Sequence, residues 1–141
     1  MNHINERTLT VFNECITKCQ ECIEIGEEVI NSCISKQKPL EHCMQAEGKC
    51  TINFDILIAC CEKCIDECNL HKQQCSQEAC IKLCNKVIFV LRECISMSEE
   101  CMIHCEENDF QISVEKCKDF IKKGKECIDA CKMYMEFMSS K

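Results

Sequence analysis

Apolar and sulfur-bearing side chains recur along almost the whole chain at alternating intervals of three and four. Phe12, Cys15, Cys19, Cys22, Gly26, Val29 and Cys33 form the first such run. Cys43, Cys50, Phe54, Leu57, Cys61, Cys64 and Cys68 form the second, with Ala46 or Glu47 in its one open place. The third reads Cys80, Cys84, Val87, Leu91, Cys94, Ser98, Cys101 and Cys105, and the fourth Cys117, Phe120, Gly124, Cys127, Cys131, Tyr134 and Met138. Three-four spacing is the inward seam of a left-handed helical bundle, because it keeps one stripe of a 3.6-residue helix facing its neighbours.

Polar or helix-breaking stretches at 35–39, 69–76 and 106–113 separate the runs. The pattern predicts helices near 5–34, 39–69, 75–106 and 112–138. Pro39 suits a first helical turn, and Ser113 followed by Glu115 reads as an N-cap in an acidic first turn. Short links between long helices imply antiparallel neighbours. The expected fold is therefore all-α, an up-down-up-down four-helix bundle. At 141 residues it is expected to be one domain with one core. Three Gly, one Pro and no Trp also favour long uninterrupted helices over a turn-rich β fold.

The composition of the seam changes the picture. The chain carries 19 Cys, and only Cys60 and Cys75 fall outside the four runs. The N-terminal Met1–Arg7 stretch has no apolar core of a secretory signal, and no window approaches the roughly 20 apolar residues of a membrane span. The expected location is thus cytoplasmic, where thiols stay reduced, and that many cysteines point to metal chemistry in preference to disulfides. A net charge of −7 with both signs interspersed argues against nucleic acid, and no membrane partner is expected.

Cys-x-x-x-Cys recurs at Cys15/Cys19, Cys60/Cys64, Cys64/Cys68, Cys80/Cys84, Cys101/Cys105 and Cys127/Cys131. Residues four apart on a helix stand one above the other, about 5–6 Å between Cβ atoms, so two thiolates can hold one small ion. Their parallel Cβ vectors do not suit a disulfide. Thiolates select copper(I), zinc or iron–sulfur clusters. A closed zinc tetrathiolate carries −2, and several in one core would cost several kcal/mol each in buried charge. Copper(I) with bridging thiolates approaches one ion per sulfur and near neutrality. Multiple Cu(I) ions are the expected cargo, held by Cys15, Cys19, Cys22, Cys33, Cys43, Cys50, Cys60, Cys61, Cys64, Cys68, Cys75, Cys80, Cys84, Cys94, Cys101, Cys105, Cys117, Cys127 and Cys131.

Each helix also has a Cys-free stretch, at 23–32, 51–59, 85–93 and 118–126. In an antiparallel bundle these predict an apolar waist of Val29, Phe54, Leu57, Val87, Leu91 and Phe120. They divide the sulfur unequally, with Cys33, Cys43, Cys50, Cys94, Cys101, Cys105 and Cys117 at the poorer end. His71 continues the second seam at the richer end, where Met135 and Met138 arrive, and is a candidate entry ligand. His104, beside Cys105, is a second imidazole candidate. The Met residues read more readily as gap fillers than as ligands. Ile follows Cys at 16, 23, 34, 65, 81, 95 and 128, and further apolar residues such as Ile58, Ile88 and Val90 suggest a homo-oligomer.

The whole pattern resembles the bacterial copper storage proteins, specifically their cytosolic branch. The resemblance rests on the four helices, on repeats such as Cys15-Ile16-Thr17-Lys18-Cys19-Gln20-Glu21-Cys22, and on Cys43-x6-Cys50 opening the second helix. It implies a bundle whose core fills with thiolate-bound copper(I), ligands running from Cys15 to Cys131, an entry end marked by His or Met, oligomeric assembly, and a role in copper storage or detoxification, with a copper chaperone as candidate donor. A zinc or cadmium buffer of metallothionein type is the nearest alternative, although metallothioneins lack an apolar framework. An iron–sulfur protein is less well supported, since Cys19-x-x-Cys22 and Cys61-x-x-Cys64 lack further cysteines at ferredoxin spacing. A di-iron enzyme would need Glu-x-x-His, which does not occur, and no cysteine is marked as a catalytic thiol, so no enzyme is expected.

Overall fold

The computed structural model describes the backbone of residues 5–35, 39–106 and 110–140, and the side chains of 5–31, 51–103 and 114–140. Four helices, α1 (Glu6–Ser35), α2 (Pro39–Gln74), α3 (Glu78–Glu106) and α4 (Phe110–Ser139), account for nearly all of it. Each helix packs on its sequence neighbours, and α4 returns to close the ring on α1. The arrangement is the antiparallel up-down-up-down bundle that the seam predicts, with α1 diagonal to α3 and α2 to α4.

The helix ends follow local chemistry. Asn5 caps α1, its Oδ1 accepting hydrogen bonds from the Thr8 backbone N–H at 2.8 Å and from the Thr8 hydroxyl at 3.0 Å. Pro39 opens α2 as expected. Three boundaries differ from expectation, and one of them, the start of α3 at Glu78 and not at 75, leaves Cys75 outside the helices. α2 continues to Gln74, through a stretch read from its polarity as a break, because Leu70, Lys72, Gln73 and Gln74 are good helix formers and His71 and Lys72 complement the C-terminal dipole. α4 begins at Phe110, so Ser113 lies in its first turn and is not the N-cap.

The seam is buried as its spacing requires. Every cysteine whose side chain is described is buried except Cys60 and Cys75, the two outside the three-four runs. Phe54 and Phe120 meet edge to face, ring centroids 4.6 Å apart, with Leu57 fully buried beside them. The waist is nonetheless narrower than expected. Val87 and Leu91 lie on α3 between Cys84 and Cys94, alongside the rich sulfur end, whereas Val29 packs with Cys117 beyond the phenylalanines. At the waist itself α3 contributes Ser98, fully buried, whose hydroxyl donates to the Cys94 carbonyl at 2.7 Å. Gly26 and Gly124 let α1 and α4 approach there: a Cβ on Gly124 would stand 3.1 Å from the Ile23 side chain. Ile88 is buried, contrary to its reading as surplus surface; among the described residues the large apolar side chains that are exposed are Ile52, Ile56, Leu70, Phe89, Ile103 and Met133. Among the described residues no helix is long and apolar enough to cross a membrane.

Candidate metal centre

Three helices meet at each of two sulfur triads, and a third triad joins them. Cys15, Cys64 and Cys131 come from α1, α2 and α4; Cys61, Cys94 and Cys127 from α2, α3 and α4; Cys15, Cys19 and Cys127 link the two. Within each triad all Sγ atoms lie within 4.8 Å of one another, and all these cysteines are buried. Cys15 belongs to two triads and so does Cys127. The Cys15 and Cys61 sulfurs approach to 3.8 Å. The i,i+4 pair thus supplies only part of the geometry, and two of the three triads draw one sulfur from each of three helices.

Cys94 is a correction to the expected division of sulfur. Assigned to the poorer end by its sequence position, it stands beside Cys61 and Cys127 in the main cluster. The reason is the register of α3. Its Cys-free stretch is offset toward the rich end relative to those of α2 and α4, so the cysteine following it comes level with Cys61. On the other side of the waist, Cys101 and Cys117 hydrogen-bond to each other, and the Cys101 thiol also reaches the Lys116 carbonyl at 3.4 Å. Cys33, Cys43, Cys50, Cys105 and His104 lie outside the residues whose side chains are described.

The electrostatics of the metal-free cluster divide its thiols into a few that ionise readily and a majority that resist it. A thiolate at Cys15 accepts hydrogen bonds from Cys127, Cys131, Cys19 and Cys61, which hold its pKa far down. The same contacts push neighbours up, Cys19 and Cys61 through Cys127, Cys15 and Cys94, and Cys131 through Cys127, Cys15 and Cys64, whereas Cys94 is held down by Cys127, Cys19 and Cys61. Cys22, at the waist, is pushed up to about 12, chiefly by burial. Negative charge is thus favoured at Cys15 and Cys94 and resisted at the sulfurs around them, unless a cation arrives with it.

At the rich end the bundle is closed unevenly. On the α1–α4 side Phe12 stacks on Tyr134, centroids 4.5 Å apart, directly above Cys15 and Cys131. Both lie on the seam, so this lid was available from the spacing, but no sequence argument assigned it that role. On the α2–α3 side, His71 Nε2 lies 3.1 Å from Cys80 Sγ, and His71, Cys75 and Cys80 form a fourth, half-exposed ligand group. Below it Cys68 contacts Cys84, which raises the Cys68 pKa. A cavity of about 70 Å3 opens beside His71, lined by Thr8, Glu67, Gln74, Tyr134 and the buried Met138 among others. Glu67 is held there by Arg7 Nε at 3.1 Å and the Thr8 hydroxyl at 3.3 Å. His71 is thus on the helix and over the sulfur, as its seam position implied.

Comparison of the chain with protein-family profiles, with curated proteins and with solved structures finds no match. The chemistry of the donor set must carry the reading alone. Among the described residues, no four ligand atoms gather within 4.8 Å of one another; the groups are triads. Buried, clustered thiols with shared vertices form a candidate centre for several thiolate-bound metal ions.

Proposed function

We propose that the protein is a store for copper(I), sequestering several ions in its cysteine core, and that it belongs with the copper storage proteins its sequence resembles. The supporting observation is the sharing of Cys15 and Cys127 between triads. Bridging sulfurs make a polynuclear cluster in which each thiolate is counted once but serves more than one ion. A monovalent ion then leaves the buried core close to neutral, whereas isolated divalent sites would not. Three-sulfur groups out of reach of water also lack the fourth donor that a structural zinc site closes with. The remaining cysteines extend the ligand set toward both ends, and the protein acts as a reservoir in the cytoplasm, not as a catalyst, loaded by a copper chaperone and assembled from several copies.

Anaerobic titration of the reduced, metal-free protein with copper(I), against a competing chromophoric chelator, tests this. Uptake of more than about ten ions per chain, beyond what isolated four-sulfur sites could hold, supports storage. Saturation near four or five ions would mark isolated four-sulfur sites and overturn the reading in favour of a zinc or cadmium buffer.

A further inference from the structure

The α2–α3 corner differs from the core in the two properties that choose a metal, donor type and access to water. His71 stands on the last turns of α2, Cys75 just beyond the helix end, and Cys80 in the first turn of α3. All three donors come from ten consecutive residues around one tight connection, so little loop entropy is lost in gathering them. His71 and Cys75 are half-exposed, unlike any cysteine of the core triads.

We infer that His71, Cys75 and Cys80 form a separate site for one divalent cation of the zinc class, completed by water. Two thiolates and a neutral imidazole balance a dication to zero net charge. The same donors would leave a monovalent ion carrying excess negative charge, with no further cation to share it. A tetrahedral ion with bonds of about 2.3 Å to sulfur and 2.0–2.1 Å to nitrogen needs donors about 3.5–3.8 Å apart. His71 Nε2 and Cys80 Sγ stand 3.1 Å apart and no pair of the three donors is separated by more than 4.8 Å, so shifts of about 1 Å or less reach that spacing. The fourth position has a source of water beside it. The neighbouring cavity, polar-lined through Thr8, Glu67 and Gln74, exceeds the roughly 10–15 Å3 that one water needs. This site stands whether or not copper(I) fills the core.

The test uses the reduced full-length chain. One equivalent of cobalt(II) should produce thiolate charge-transfer absorption with the d–d bands of a four-coordinate ion. One equivalent of zinc(II) should quench that signal and move the His71 ring 15N resonances. H71A and the double substitution C75S/C80S should lose the cobalt bands, and C19A/C127A should keep them, with far-UV circular dichroism confirming that each variant is folded. Bands that survive C75S/C80S, or a His71 ring unmoved by zinc, overturn the site. Copper(I) added to the zinc-loaded protein should leave zinc in place until the core is full; zinc released by the first equivalents also overturns it. A protein that gives the cobalt signature but takes up no copper(I) keeps this site and loses the storage reading.

Discussion

Replacing Cys127 with alanine removes one sulfur, but if metal ions are bridged it should remove more than one ion. Cys127 is a corner of two of the three core triads, Cys131 of one and Cys22 of none. Counting triads broken, C127A should lower copper(I) capacity by about two ions, C131A by about one and C22A by little. Cys15 and Cys127 share the triad they form with Cys19, so the double variant C15A/C127A should lose about three ions, fewer than the two single losses together. Alanine is preferred to serine because a buried hydroxyl without a partner would add about 1–3 kcal/mol of desolvation. Losing the buried sulfur should cost about 1–2 kcal/mol, within what a domain of this size tolerates. The assay is anaerobic titration read by native mass spectrometry, with circular dichroism as a control. Equal losses in C127A and C22A, or strictly additive losses in the double variant, would refute bridging at shared sulfurs.

The waist should matter to the metal-free fold and not to metal capacity: F120A should lower urea stability by about 3–5 kcal/mol while leaving copper(I) stoichiometry unchanged. The two helical glycines should respond oppositely. G26A gains helix propensity of about 0.5–1 kcal/mol, its new methyl meeting Ile121 at an ordinary 3.5 Å, whereas G124A must displace Ile23 from 3.1 Å and should be neutral or destabilising in the same assay. Stability of the metal-free, reduced protein should fall with rising pH. Cys22 stays protonated in the fold up to about 12 but ionises from its ordinary 9.0 when unfolded. The unfolded chain therefore sheds protons first, and denaturation midpoints should drop between pH 9 and 12, by up to about 1.4 kcal/mol per unit for one such thiol. A midpoint that stays flat over this window would show the Cys22 thiol to be less buried than it is here.

The period alone located the helices, their antiparallel order and the buried face, because an inward stripe must repeat every three or four residues whatever fills it. It also separated Cys60 and Cys75 from the rest, and both are the less buried ones. What it could not supply was axial register between helices. Cys94 and Leu91 differ by three positions along one stripe, and which of them comes level with Cys61 depends on how far α3 slides against α2. The same uncertainty placed Val87 and Leu91 in the waist and overlooked Ser98, a polar residue that meets its hydrogen-bonding need within its own helix. His71 was assigned to a polar break on composition although its seam position argued for continuation, and the seam was the better guide. The cross-helix triads were illegible because spacing within one helix records only neighbours on that helix.

The Phe54–Phe120 contact has a kinetic consequence. Along α4, Phe120 stands between Cys117 and Cys127, and among the described residues the sulfur at that level is Cys22, which belongs to no triad, so an ion moving by thiolate exchange finds a poor stepping stone through the middle of the molecule. The two ends would then equilibrate through solvent, each with its own rate of loss. Emptying such a protein with a chelator should proceed in two unequal phases, giving one molecule both a quick reserve and a slow one.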